Sequence, residues 1–478
     1  MKTFAVHTLG CKVNQYESQQ IRQVLEQSGL TAATRMQQPA VVVVNTCCVT
    51  HIASAKSRQN IRKIQKTHPA ATVIVTGCLP AGQSDELKNL QNIIIAKEKS
   101  CLPDIIERLI AEHHLEQDNT ILSKPTNRPE IKDKKGNLGY PRGLQQLKGI
   151  EKSDIIQNHP SGLLHSDANV KETGKSAYKL GILNRFTGQS RAFLKVQDGC
   201  DAYCTYCIIP KIRTNVCNKN VKTALKEANS LIRAGHKEII LTGIFLGAYG
   251  QTTARRKKWD PDKTDSLAEL VNQVASIDGL VRLRLSSLEP LDVTNRLLEV
   301  MTGHKNIAPH LHLPLQSGSG NILKQMARQY TTDDFMRVVE RVKNAFDRPA
   351  ITTDIIVGFP GETEDDFQQT LEIAKKVGFS KIHVFSFSIR KNTAAVKMAK
   401  LFGKVSPQEI KHRSTVLQQI DNELQEKFRQ SCAGLNETVL IEKTNPPRGR
   451  CSRYFMVDLK DHPDAKRLQK GQITDVVI

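Results

Sequence analysis

Aromatic residues make up only 5% of the 478 positions and tryptophan occurs once, too little to build a broad platform for stacking nucleic-acid bases. Long apolar runs are missing as well. Stretches such as Ala40 to Val44 fall far short of the roughly 20 residues that a membrane span needs, so no membrane association is expected. The opening residues, Met1 to His7, show neither an extended apolar segment nor a small-residue cleavage site. Secretory export is therefore not expected, and a cytoplasmic location with reduced thiols is. Acidic residues are outnumbered: 48 Asp and Glu face 69 Lys and Arg, a formal net charge of +21. Such a balance fits a polyanionic partner, and equally a dispersed, solvated basic surface.

What is present is enough chain for roughly three domains, with a 39% hydrophobic share that excludes a wholly disordered protein. Eleven cysteines form clusters rather than scattered pairs, which points to metal ligation or thiol chemistry rather than a disulfide framework. Residues 1–115 alternate strand and helix patterns, with strands expected at Phe4 to Thr8, Val41 to Val44, Thr72 to Thr76 and Asn92 to Ile95. Continuous β-branched runs between helices imply an open parallel α/β sheet buried on both faces. From 116 to 190 the pattern fails, and a linker or insertion, mostly mobile, is expected.

A second alternating region covers 191–434. Its strands are expected at Phe193 to Val196, Glu238 to Leu241, Arg282 to Leu285, His310 to Leu313, Thr353 to Val357 and Ile382 to Phe385. Thr363 with Asp366, and Ser406 with Glu409, read as capping boxes. Six β/α units suggest a partial (β/α)6 barrel, open on one side. The remaining residues, 435–478, carry short strand patterns at Val439 to Ile441, Tyr454 to Val457 and Thr474 to Val477, broken by Pro446-Pro447-Arg448-Gly449. They suggest a small β-barrel of a kind that touches RNA.

The sharpest signal is Cys200-Asp201-Ala202-Tyr203-Cys204-Thr205-Tyr206-Cys207, directly after the first strand of the second region. Random placement of the cysteines would give C-x3-C-x2-C only about 0.006 times per chain. Structural zinc prefers four closed ligands, usually in C-x2-C pairs, and no fourth partner adjoins these three. Three thiolates on one loop suit a [4Fe-4S] cluster with one iron left open. Cys11, Cys47 and Cys78 each lie just beyond the carboxyl end of an expected parallel strand, where open α/β sheets gather ligand groups. Taken one at a time, each reads as readily as a small buried hydrophobe. Cys48 adjoins Cys47 and is the alternative at that position.

The C-x3-C-x2-C run with an aromatic before its last cysteine resembles the radical S-adenosylmethionine superfamily. More specifically, the chain resembles the methylthiotransferases over roughly 400 positions. The matching runs include Thr8-Leu9-Gly10-Cys11-Lys12-Val13-Asn14, Asn45-Thr46-Cys47, Thr76-Gly77-Cys78, Leu285-Ser286-Ser287-Leu288-Glu289-Pro290, His312-Leu313-Pro314-Leu315-Gln316-Ser317-Gly318 and Gly358-Phe359-Pro360-Gly361-Glu362-Thr363. The resemblance implies a central barrel of radical S-adenosylmethionine type, a small TRAM-like RNA-binding β-barrel at the end, and two [4Fe-4S] clusters. Cys200, Cys204 and Cys207 would hold the cluster that binds and splits S-adenosylmethionine, and Cys11, Cys47 and Cys78 the second, which carries the sulfur to be inserted. Ser287, Gln316 and the turn at Gly358 are candidates for the S-adenosylmethionine pocket, with Glu238 added. Cys101, Cys217, Cys432 and Cys451 are assigned to packing or exposure.

The run from Thr8 to Ser18 resembles the subgroup that converts N6-threonylcarbamoyladenosine at tRNA position 37 to its 2-methylthio derivative. Sibling subgroups act on isopentenyladenosine of tRNA or on an aspartate of a ribosomal protein. The implied partners are the tRNA anticodon loop, an electron donor and a sulfur source. A competing class is a non-catalytic RNA-binding protein that uses the same cysteines to hold zinc. Two runs depart from the family pattern: Lys211 to Lys219, which lacks its Arg-Gly sequence, and Ser388 to Thr393, which lacks its prolines and glycine.

Overall fold

The computed structural model describes residues 3–34, 36–83, 87, 90, 92–111 and 180–478. One compact unit is formed by Met1–Glu107 together with Ser176–Ile478. Every sheet among the described residues and both cysteine trios belong to it. Among the described residues no helix is long and apolar enough to cross a membrane.

The first sheet is wholly parallel, with strands β1 (Thr3–Thr8), β2 (Thr31–Ala32), β3 (Val41–Thr46), β4 (Thr72–Gly77) and β5 (Ile93–Ile95) in the order β2-β1-β3-β4-β5. All six residues of β3 are buried. A run of valines is suited to that position, because β-branched side chains pack on both faces of a covered sheet.

The central region carries β6 (Arg191–Lys195), a short antiparallel pair β7 (Gln197–Asp198) and β8 (Cys217–Asn218), then β9 (Glu238–Thr242), β10 (Arg282–Leu285), β11 (His310–His312), β12 (Ala350–Val357) and β13 (Lys381–Ser386). Two parallel three-stranded sheets, β10-β9-β6 and β11-β12-β13, are joined by bridges from Leu283 to Ile307 and from Ser287 to His312. Six strands thus follow one another around the expected partial barrel. Its core runs through Leu194, Ile240, Leu283, Leu311, Ile355 and Ile382, each contributing about 1.5–3 kcal/mol by leaving water. The helix Glu364–Val377 shows how local sequence sets these units. Thr363 Oγ1 accepts from the Asp366 amide at 3.1 Å and an Asp366 carboxylate oxygen accepts from the Thr363 amide at 3.0 Å. Three acids fill the first turn and Lys375 and Lys376 the last, which suits the helix dipole. At Ser406 the cap is one-sided, its hydroxyl accepting from the Glu409 amide at 3.1 Å.

Two expectations need correction. Residues 180–190, assigned to the mobile linker, are packed: Leu183 and Phe186 are buried, the Leu183 amide donates to Glu227 at 3.0 Å, and Gln23 donates to the Ile182 carbonyl at 2.9 Å. The rest of the expected linker up to 179, including Ile155-Ile156, lies outside the described residues. At the other end of the chain, the four-stranded antiparallel sheet has the order β16-β15-β14-β17, from β14 (Asn436–Thr444), β15 (Pro447–Cys451), β16 (Met456–Asp458) and β17 (Ile473–Val477). The Pro447 run expected to break the pattern is itself a strand, because proline is tolerated as a strand's first residue.

Candidate functional site

The strand register brings the first trio together. Thr8 lies beside Asn45, Asn45 beside Thr76 and Thr46 beside Gly77, so three neighbouring strands end level and Cys11, Cys47 and Cys78 leave from one edge. Gly10 has φ +105°, and a Cβ there would stand 2.7 Å from Cys47 Cβ and 3.0 Å from its Sγ. Only glycine both adopts that backbone and leaves room for the loop to carry Cys11 alongside Cys47. Asn14 fastens the arrangement, its amide nitrogen donating to the Leu9 carbonyl at 2.8 Å and the Thr46 carbonyl at 2.9 Å. The Cys48 thiol donates to the Cys78 carbonyl at 3.1 Å, which leaves Cys47 as the member of the pair whose sulfur faces the glycine turn.

The second trio sits on the loop after β7. Cys200 is buried while Cys204 and Cys207 are half-buried, and the loop is pinned from outside. The Cys200 amide donates to the Arg213 carbonyl at 2.9 Å and the Thr205 amide to the Met326 carbonyl at 3.1 Å.

All eleven cysteines are free thiols. Burial pushes Cys47 up to about 11, Cys48 and Cys207 up to about 12, and raises Cys11, Cys200 and Cys204 as well. Protonated thiols in these positions become thiolates only when a metal or a cation takes up the charge. Cations are in place. Arg328 Nη1 stands 3.1 Å from Cys204 Sγ, and Arg390 donates to the Cys48 carbonyl and, at 2.9 Å, to Ser54 Oγ. Three thiolates per site suit an iron–sulfur cube with one open iron better than a closed four-ligand zinc site.

Arg213 connects the two trios. Its carbonyl receives the Cys200 amide, while its guanidinium grips both oxygens of Glu17 at 2.8 Å and reaches Asp198 at 2.9 Å and Asn14 at 3.4 Å. Lys195 adds bonds to Glu17 at 3.1 Å and Asp198 at 2.9 Å, and Lys99 also pairs with Glu17. Burial alone would raise the Glu17 carboxyl, but Arg213, Lys99 and Lys195 together hold it well below its ordinary value. This charged cluster is buried, so each member depends on the others.

The remaining expected residues divide. Ser287, exposed just beyond β10, bridges to His312 and lines a cavity of about 270 Å³. Gln316 has φ +62°, and its carbonyl accepts from the Ile356 amide at 2.9 Å, which fixes it beside β12. At the Gly358 turn, the Gly358 amide donates to Glu362 at 2.6 Å, and its α-carbon faces Ile410, which a Cβ would meet at 2.3 Å. Glu238 needs correction. Glu238 is fully buried at the start of β9, with its two oxygens taken by Arg282 at 2.9 Å and Arg284 at 3.0 Å. Those arginines continue to the carbonyls of Thr438, Cys451 and Ser452, so Glu238 anchors the C-terminal sheet. Arg213, Arg328 and Arg390 were not singled out by sequence reasoning, although Arg213 and Arg390 lie in the two runs that depart from the family pattern.

Residues 3–96 match the family described as "Uncharacterized protein family UPF0004", and residues 194–374 the "Radical SAM superfamily". The chain is 33% identical over 444 residues to the threonylcarbamoyladenosine tRNA methylthiotransferase MtaB of Thermotoga maritima, covering 92% of this chain and 87% of that protein. It is 32% identical to the tRNA-2-methylthio-N(6)-dimethylallyladenosine synthase of Clostridium botulinum, covering 92% and 86%. The solved structure of the radical S-adenosylmethionine methyltransferase TsrM of Kitasatospora setae superposes with a TM-score of 0.52 at 13% identity, over 84% of this chain and 78% of that one, and shows the fold alone. The central barrel is that of a radical S-adenosylmethionine enzyme. The chain belongs to the radical S-adenosylmethionine methylthiotransferase family, whose chemistry requires S-adenosylmethionine and a [4Fe-4S] cluster.

Proposed function

We propose that this enzyme acts in the cytoplasm on tRNA, converting N6-threonylcarbamoyladenosine at position 37 to its 2-methylthio derivative. In this reading Cys200, Cys204 and Cys207 hold the [4Fe-4S] cluster that takes S-adenosylmethionine, and Cys11, Cys47 and Cys78 hold a second. Domain limits of 1–115, 191–434 and 435–478 belong to the same reading. The substrate rests on the 33% identity, over 92% of the chain, to a threonylcarbamoyladenosine tRNA methylthiotransferase, and the observation that carries the pairing of the two trios is the Arg213 bridge. One residue touches the backbone of the second trio and, through Glu17 and Asn14, the helix that begins beside the first.

When bound, the cluster and S-adenosylmethionine supply a radical able to take hydrogen from an unactivated carbon, which no acid or base in the site can do. The chain's own groups hold and screen. Gly10 and Asn14 set the first trio's spacing, Arg328 and Arg390 offset thiolate charge, and the Glu17–Arg213–Asp198 cluster keeps the two loops in one geometry. The net charge of +21 and the C-terminal sheet, with eight Lys and Arg against six Asp and Glu from Glu437 onward, favour a polyanionic substrate. An electron donor and a sulfur source complete the partners.

Anaerobic reconstitution tests the clusters: about eight irons per chain are expected, and two zincs without iron would defeat the reading. Mass spectrometry of tRNA from a deletion strain tests the substrate. Loss of 2-methylthio-threonylcarbamoyladenosine is expected; loss of the dimethylallyl counterpart instead would move the assignment to that sibling.

A further inference from the structure

The cavity of about 270 Å³ beside Ser287 is walled by three parts of the chain: Lys12 next to Cys11, the inner faces of β10 to β13, and Tyr454 of the C-terminal sheet. Its lining is strongly polar, with only Leu285 and Phe385 wholly apolar. Several of its polar groups lack partners. Among the described residues Lys12 makes no hydrogen bond or ion pair. Ser286 Oγ and His310 Nδ1 are buried without any hydrogen bond, in side chains only 5% and 4% exposed. Buried polar atoms are rarely left unmet, and each costs free energy until a ligand meets it.

The far wall is an ordered acceptor. Asp354 accepts from His312 Nε2 at 3.2 Å, and His312 Nδ1 lies 2.9 Å from Thr352 Oγ1. His312, Asp354 and His383 bring their ligand atoms within 4.8 Å of one another. Both ring nitrogens of His312 are already engaged, however, which disfavours a bound cation. Tyr454 is held at φ +75°, stacked on His310 with ring centroids 4.3 Å apart, a strained backbone of the kind retained at ligand clamps.

We propose that this cavity, lined by the Ser287 that sequence alone offered to the S-adenosylmethionine pocket, is instead the subsite that reads the substituent on the substrate base. An ammonium beside unmet hydroxyl and imidazole groups, opposite a carboxylate acceptor, matches a ligand bearing a carboxylate together with N–H or O–H donors. Lys12 takes the carboxylate and Asp354 takes a donor. A prenyl group would leave all of them unmet, and sites built for hydrogen bonds reject analogues that lack them. The inference rests on the reading of the substrate as threonylcarbamoyladenosine, and gives that reading a physical basis.

The test is equilibrium binding of the full-length protein to three anticodon stem-loops, carrying at position 37 threonylcarbamoyladenosine, its carboxylate methyl ester, or dimethylallyladenosine. The wild-type protein is expected to bind the free acid at least about tenfold more tightly than the ester, and Lys12→Met to bring the ratio close to one. Equal binding of acid and ester by the wild-type protein, which needs no variant to fold, overturns the subsite, as does a Lys12→Met variant that keeps the wild-type ratio. A methylthiolation assay on the same stem-loops separates the two claims. Turnover of the acid without preference over the ester removes the subsite and leaves the substrate; preference in binding with turnover only of the dimethylallyl form removes the substrate and leaves the subsite.

Discussion

Cys200, Cys204 and Cys207 lie within eight residues of one loop, whereas Cys11, Cys47 and Cys78 meet only because three parallel strands end level. The first arrangement is local: its spacing survives small shifts elsewhere, because the chain between the ligands is short. The second is topological. Its geometry is only as good as the register of β1, β3 and β4 and the turns that follow them, and it needs glycine at positive φ to close. The comparison teaches that two proposed sites of similar chemistry can differ in what destroys them, and the largest effects are expected from the proposed ligands themselves. Replacing any one of Cys200, Cys204 or Cys207 by Ala is expected to remove about four irons per chain and abolish deoxyadenosine formation, read by iron assay and chromatography. Replacing Cys11, Cys47 or Cys78 should remove a similar amount of iron while deoxyadenosine is still released. If both sets abolish deoxyadenosine, the division of labour between the trios is wrong.

Glu17→Gln comes next. It leaves Arg213, Lys195 and Lys99 without their shared counter-charge, and breaking a buried ion network costs about 3–5 kcal/mol, measurable by denaturant titration. The same group sets a pH limit. Its carboxyl is held well below the ordinary value, so its contribution is fully present above the unfolded pKa of roughly 4.3 and is lost as pH falls through the lower, folded one. Stability of the wild-type protein should therefore fall below about pH 4 more steeply than that of Glu17→Gln. Equal acid sensitivity would show that the network does not hold the Glu17 carboxyl low.

A smaller effect separates the trios more sharply. Gly10→Ala forces a Cβ into Cys47 at φ +105°, a backbone penalty of about 1–2 kcal/mol before any contact is counted. Iron at the first trio should drop while the second keeps its full complement. Uniform loss from both would mean that Gly10 matters for global folding rather than for local closure.

The same contrast governs what the sequence makes legible. C-x3-C-x2-C is readable because all its information is local, and the strands are readable because β-branched runs stand between amphipathic helices. Cys11, Cys47 and Cys78 could be listed, but not measured against one another, without the register. The Arg213–Glu17 pair spans 196 positions, and no spacing rule connects residues so far apart; Arg213 even sits in a run that departs from the family pattern. Glu238 was misjudged for a related reason. A carboxylate looks the same in sequence whether it meets a cofactor or two arginines. Residues 180–190 read as linker because the short apolar group Leu180 to Leu183 and the single Phe186 show no strand or helix period among Gly, Asn, Arg and Thr.

Arg328 offers the finest probe of the local trio. Its guanidinium reaches Cys204 Sγ at 3.1 Å and Tyr206 at 3.3 Å, and it also pairs with Glu289. A hydrogen bond and a positive charge beside a ligating thiolate stabilise the extra negative charge of a reduced cluster, so they raise its potential. Arg328→Met removes both and should shift the potential of the cluster proposed at Cys200, Cys204 and Cys207 to more negative values, read by EPR-monitored redox titration. Arg328→Lys keeps the charge and loses the planar fork, and should give a smaller shift in the same direction. The second cluster proposed at Cys11, Cys47 and Cys78, which Arg328 does not touch, serves as the internal reference. If both clusters shift equally, the arginine acts on the fold, and its bond to Cys204 has no electronic consequence.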